Sequence, residues 1–157
     1  MARFRYRMQN ILNMKISMEQ QAKMQYAAAN RRLSEEEEKL ERIRNRKAAY
    51  EAEAKRLLSQ KLNVRDIMAN NQAILMTEEE IKAQLIQVHT AQLNVEKARE
   101  HLTQLMQERK MHERLKEKAF EQFLQEEKPR ESKEIDELTS YTYGQRIAQN
   151  KEKDQVV

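Results

Sequence analysis

Apolar residues in the first third of the chain return at alternating intervals of three and four. Tyr26, Ala29, Leu33, Leu40, Ile43, Tyr50, Ala54 and Leu57 share one ladder, with Glu36 and Lys47 as its polar rungs. Upstream, Phe4, Met8, Ile11, Met18 and Ala22 continue it with a slight shift of phase. This is the spacing of an amphipathic helix that presents one stripe to one partner helix. The ladder lapses between Leu62 and Thr77, where Asn63, Asn70 and Asn71 favour turns and a short helix from Val64 to Met76 would also fit. Thr77, followed three residues later by Glu80, reads as a capping box, and the acids Glu78, Glu79 and Glu80 suit the positive end of a helix dipole. The spacing predicts a new helix there. Its ladder is Ile81, Leu85, Val88, Val95, Leu102 and Met106, then Phe120 and Phe123 after the polar stretch ERKMHERLKEK.

Two matching stripes joined once predict an all-α fold, a long antiparallel two-helix coiled-coil hairpin with a short helical or irregular connection. The expected elements are a helix over about 3–60, a connection over about 61–77 and a helix over about 78–128. The only proline, Pro129, should kink the second helix, which resumes as an extension over about 130–140. The only glycine, Gly144, then marks fraying, and residues 146–157 read as a disordered tail of a single elongated domain over 1–145. An arm of about 50 residues would run roughly 75 Å, with both chain ends at one tip.

Composition narrows the picture. Charged residues make up 36% and aromatics 5%, there is no Cys or Trp, and the common letters are strong helix formers. Disorder is the competing reading for so charged a chain, but the apolar residues are periodic rather than sparse. Thirty basic and 26 acidic side chains nearly cancel and interleave, which disfavours nucleic acid as a partner. No apolar run approaches the roughly 18 residues of a membrane span, and the start lacks the apolar stretch of a secretory signal. Absence of Cys fits a reducing compartment.

The inventory for catalysis is thin. His89, His101 and His112 are never spaced i,i+4 and read as solvent-facing; no HExxH motif, Cys nucleophile or glycine-rich phosphate loop occurs. The run Glu35–Glu38 points around most of a helix and reads as solvated surface. No enzyme, cofactor, metal or small-molecule ligand is expected. Phe4, Tyr6, Met8, Ile11, Leu12, Met14, Ile16 and Met18 exceed what one partner helix can cover, so a second contact surface is expected near the start.

The opening FRYRMQNILNMKISMEQQAK resembles the start of the flagellar export protein family FliJ: Phe4, Tyr6, Gln9, Leu12 and Lys15 fit, with Met8 where Leu is usual. KEIDEL, residues 133–138, resembles the family's C-terminal signature through Lys133, Glu134, Asp136 and Glu137. The resemblance implies a soluble, non-catalytic stalk of the bacterial flagellar type III protein export apparatus, cytoplasmic and peripherally associated with the cytoplasmic face of the cell membrane. Its implied partners are the hexameric flagellar export ATPase, the cytoplasmic domain of the export gate membrane protein, and export chaperones. The implied ring-binding tip comprises Arg3, Phe4, Arg5, Tyr6, Arg7, Gln9 and Leu12 with Lys133, Glu134, Asp136, Glu137 and Tyr141. The implied gate-binding part lies around residues 70–90. A coiled-coil scaffold or dimerisation module unrelated to export is the alternative reading.

Overall fold

A computed structural model describes residues 2–155. It contains two helices, α1 (Gln9–Leu58) and α2 (Val64–Gln155), and no strand among the described residues. They pack against each other as a helical hairpin. By their contacts the residues fall into two units, 15–108 and the combination of 1–14 with 109–157, of which the described parts are treated in turn.

In the first unit the two helices run antiparallel and meet along one seam. Its α1 side is Lys15, Glu19, Ala22, Tyr26, Ala29, Leu33, Glu36, Leu40, Ile43, Lys47, Tyr50, Ala54 and Leu57, all buried or half-buried, with no break in the three-four alternation. The phase shift expected upstream of Tyr26 is absent, because Lys15 and Glu19 take the seam positions and keep the heptad intact. Lys15 Nζ reaches Glu108 Oε2 across the seam at 2.8 Å. The α2 side runs Ile67, Asn70, Ile74, Thr77, Ile81, Gln84, Val88, Ala91, Val95, Ala98, Leu102 and Leu105, again buried or half-buried throughout. Met106 lies half-buried beside it, whereas Leu85, expected in the seam, is 43% exposed. Gln84 holds that layer instead, since its amide donates across to the Glu36 carbonyl at 2.9 Å and to the Glu36 carboxylate.

The connection is shorter than the sequence suggested. Only residues 59–63 are non-helical. Ser59 closes α1 by donating its backbone N–H to Lys55 and Arg56 and its hydroxyl to the Arg56 carbonyl. Asn63 caps α2: its Oδ1 accepts from Arg65 N at 3.1 Å, and its carbonyl accepts from Ile67 N. Asp66 in the first turn suits the helix dipole. Thr77 is therefore no cap. It is 2% exposed within α2, and its hydroxyl donates to the Ile74 carbonyl at 2.7 Å. The acids after it serve cross-helix pairing: Glu80 engages Arg46, and Glu78 lies 3.5 Å from Lys47. Asn70 is likewise seam rather than turn, buried and donating its amide to the Tyr50 carbonyl at 2.9 Å. Asn70, Glu78 and Glu80 have partners across the seam and Thr77 has one within α2, and that outweighs their turn and cap preferences.

The second unit continues the α2 ladder through Arg109, His112, Lys116, Ala119 and Phe123, against Leu12 and the residues before it. His112, read as solvent-facing, is 8% exposed. Pro129 lies inside α2 rather than at a boundary. It deletes one amide donor, but Gln125, four residues earlier, is exposed, so water can satisfy the freed carbonyl. Gly144 has no positive φ and nothing within 4 Å of where a Cβ would stand, so it neither turns the chain nor admits a close neighbour. The helix continues to Gln155, where a disordered tail was expected; residues 156 and 157 lie outside the described set.

Glu36 is a heavily partnered group in the seam. It is 3% exposed, and the Gln84 amide, then Lys39 and Arg32, hold its carboxyl below the usual carboxylate range. Arg32 approaches at 2.9 Å and Lys39 at 3.5 Å. Because the folded state prefers the ionised form, its contribution is present above about pH 4.5 and is lost as pH falls through the folded value. Urea midpoints measured from pH 6 down to pH 3.5 should therefore fall more steeply for the native chain than for Glu36→Gln, to roughly the degree that linkage demands. Separately, Asn63→Ala should cost about 1 kcal/mol by loss of the cap, read in the same urea titration at neutral pH.

Candidate partner-binding site

Residues 2–6 are not helical, and Arg7 and Met8 form a turn into α1. The helix expected from about residue 3 thus starts at Gln9. The reason lies in the alternation Arg3-Phe4-Arg5-Tyr6-Arg7. In extended backbone a period of two sends Phe4 and Tyr6 to one side and the three arginines to the other. The observed burial follows that period: Phe4 and Tyr6 are half-buried while Arg3, Arg5 and Arg7 are exposed. At the turn Gln9 N donates to the Tyr6 carbonyl and Leu12 N to the Met8 carbonyl, each at 3.1 Å.

Phe4 anchors this strap on α2. Its ring centroid lies 5.2 Å from that of Phe120 at 66°, and 5.4 Å from that of Phe123. Phe120 and Phe123 are one helical turn apart and 6.5 Å centroid to centroid, so they form the two-ring bed on which Phe4 sits. Edge and tilted aromatic pairs of this kind contribute about 0.5–1.5 kcal/mol beyond the area they bury. Leu12, 3% exposed, is the buried hydrophobic residue of this unit. The Tyr6 hydroxyl and His112 Nδ1 are buried with no hydrogen-bond partner among the described residues.

Of the remaining expected tip residues, Gln9 is half-buried and its amide donates to Asn13 Oδ1 at 2.9 Å. Lys133, Glu134, Asp136, Glu137 and Tyr141 lie on α2 in the stretch 132–155, where every residue is exposed. That stretch displays Ile135, Leu138, Tyr141 and Tyr143 at 62–67% exposure. The two motif regions therefore belong to one unit, but Phe120 and Phe123, not the KEIDEL residues, receive the strap. Sequence reasoning placed both phenylalanines on a ladder and missed them as the anchor. The F-x-Y-x-M alternation was the signal for an extended strap.

A cleft of about 400 Å³ opens beside the strap, lined by Arg3, Phe4, Arg5, Tyr6, Gln9 and Lys116. A second exposed apolar surface lies at the start of α2, within the other unit. Val64, Met68, Leu75 and Met76 are 59–68% exposed and line two shallow depressions with Gln72. Among the described residues no group of three His, Asp or Glu side chains is placed to hold a metal ion, and no helix is long and apolar enough to cross a membrane.

The family model described as "Flagellar FliJ protein" matches residues 4–148. Among curated proteins none matches the chain. A solved structure of a YscO homolog from Chlamydia trachomatis is similar in fold, with a TM-score of 0.66 and 22% identity, covering 90% of this chain and 96% of that one.

Phe4→Ala removes the strap's anchor and should cost about 1–3 kcal/mol of local stability. Tryptic cleavage after Arg5 and Arg7 should then accelerate by on the order of tenfold or more, while cleavage within residues 15–108 stays unchanged.

Proposed function

The chain belongs to the flagellar FliJ family, whose members are type III export components, and on that footing we propose that it is a non-catalytic stalk of the flagellar export apparatus. In this reading the unit containing the strap and the C-terminal part of α2 enters the central opening of the hexameric export ATPase and promotes its assembly. ATP chemistry belongs to the ring. The protein works in the cytoplasm, at the cytoplasmic face of the cell membrane, where it couples the ring to the cytoplasmic domain of the export gate and meets export chaperones.

The observation that carries the reading is the bare end of α2. A lone helix in water is marginal, and most helical stability in proteins comes from packing of an apolar face. Residues 132–155 have no such packing yet display Ile135, Leu138, Tyr141 and Tyr143. A surrounding partner would supply what the fold lacks. The exposed Val64, Met68, Leu75 and Met76 support a separate contact with the gate at the start of α2.

The test is co-purification with the hexameric export ATPase and measurement of its turnover. The native chain should bind and stimulate it. Deletion of residues 1–10, or of 133–143, should reduce stimulation by roughly tenfold or more, the loss expected when a few anchoring side chains carry an interface. Undiminished stimulation by both deletions would remove the terminal unit as the contact.

A further inference from the structure

We infer that the cleft beside the N-terminal strap is a recognition site for a carboxylate-bearing, acidic peptide segment. The inference deepens the ring reading and rests on it for the identity of the natural partner, but the cleft's chemistry stands on its own residues.

Arg3, Arg5 and Lys116 line the cleft together with the Gln9 amide, and no acidic side chain does. Elsewhere the molecule neutralises its inter-element cations: Lys15 pairs with Glu108, Arg46 with Glu80 and Lys47 with Glu78. Among the described residues Arg3, Arg5 and Lys116 have no ion-pair partner. The backbone that carries them is anchored. The strap that carries the two arginines is fixed through Phe4 on Phe120 and Phe123, and Lys116 sits half-buried in the α2 ladder. Three unneutralised cations lining one cleft, two with planar guanidinium forks, suit a carboxylate.

Two other anion classes fit less well. Single-stranded nucleic acid needs free aromatic faces for stacking, and the Phe4 ring is already packed against two others. A duplex needs an extended basic stripe, whereas along α2 Glu113, Glu117 and Glu121 interleave with Arg114, Lys116 and Lys118, and Glu113 is itself paired with Arg109 at 3.0 Å, so no continuous stripe forms. A short acidic side chain needs none.

The test uses the full chain and two probes, a synthetic Glu-rich peptide of about ten residues and the hexameric export ATPase, each titrated at several salt concentrations. The variant is Arg3→Glu/Arg5→Glu/Lys116→Glu, with the milder Arg3→Gln/Arg5→Gln/Lys116→Gln as a second form and Arg42→Glu as a charge control on an exposed position away from the cleft. Circular dichroism establishes that each is folded. Peptide and ring affinity should both fall at least tenfold in the triple variants and lose much of their salt dependence, with Arg42→Glu within about threefold of native. Equal peptide affinity in native and triple-variant chains would overturn the inference and leave the ring reading untouched. So would duplex DNA binding more tightly than the peptide and being lost in the same variants. Retained, cleft-dependent peptide binding without any ring binding by the native chain would uphold the acidic-peptide site and sink the ring as its partner.

Discussion

Everything in this molecule depends on an unbroken alternation of three and four residues in each of two helices, meeting along one seam. Two helices in a single layer have no centre to fill, so no residue is surrounded on all sides as in a globular core. Buried apolar positions are correspondingly few: Ala22, Leu40, Val88, Ala91 and Leu105 in one unit, Leu12 in the other. The heptad is kept even where it forces Lys15, Glu19, Glu36, Gln84 or His112 into the seam. A polar residue there weakens the pair but restricts its register, because only one alignment brings Gln84 to Glu36, Asn70 to the Tyr50 carbonyl and Lys15 to Glu108. The apolar side chains drive the pairing, and the polar ones choose among its alignments.

The hairpin was legible because apolar periodicity over many turns is a strong signal, and Leu33, Leu40, Ile43, Tyr50, Leu57, Ile81, Val88, Val95, Leu102 and Met106 all lie buried or half-buried. Errors arose wherever local chemistry was allowed to outvote that period. Thr77 and Glu80 have the spacing of a capping box, yet Thr77 also continues the seam from Asn70 and Ile74, and tertiary pairing prevails over local preference. Leu85 fits the ladder by its apolar character, but the strict alternation from Thr77 and Ile81 to Val88 passes through Gln84. Pro129 and Gly144 have the chemistry of boundaries, yet both lie within α2 at exposed positions, where water can satisfy the carbonyl that Pro129 leaves free. The N-terminal strap is hard to read because the few residues before Gln9 do not distinguish a period of 3.6 from a period of two unless the alternation itself is weighed.

The two units divide the labour. Residues 15–108 supply a self-contained antiparallel pair whose cross-helix polar contacts are satisfied internally, and they leave an apolar surface at the start of α2. The other unit spends its apolar residues differently: Phe4, Phe120 and Phe123 fasten the chain's start, while Ile135, Leu138, Tyr141 and Tyr143 remain uncovered. An unneutralised cationic cleft and an uncovered apolar helix face in the terminal unit support the proposed ring contact, and the uncovered apolar surface at the start of α2 supports the proposed second contact.

The most direct test of the account is the distance between nitroxide labels on Gln20→Cys and Thr103→Cys, two exposed positions near the Lys15–Glu108 pairing, in a chain that has no other cysteine. Pulsed EPR on labelled chains diluted with excess unlabelled chain should give a narrow distribution below about 30 Å, as for helices packed roughly 8–10 Å apart with label arms added. A separation on the order of 120 Å, the span of one continuous helix between those positions, or a short distance that vanishes on dilution, would contradict it.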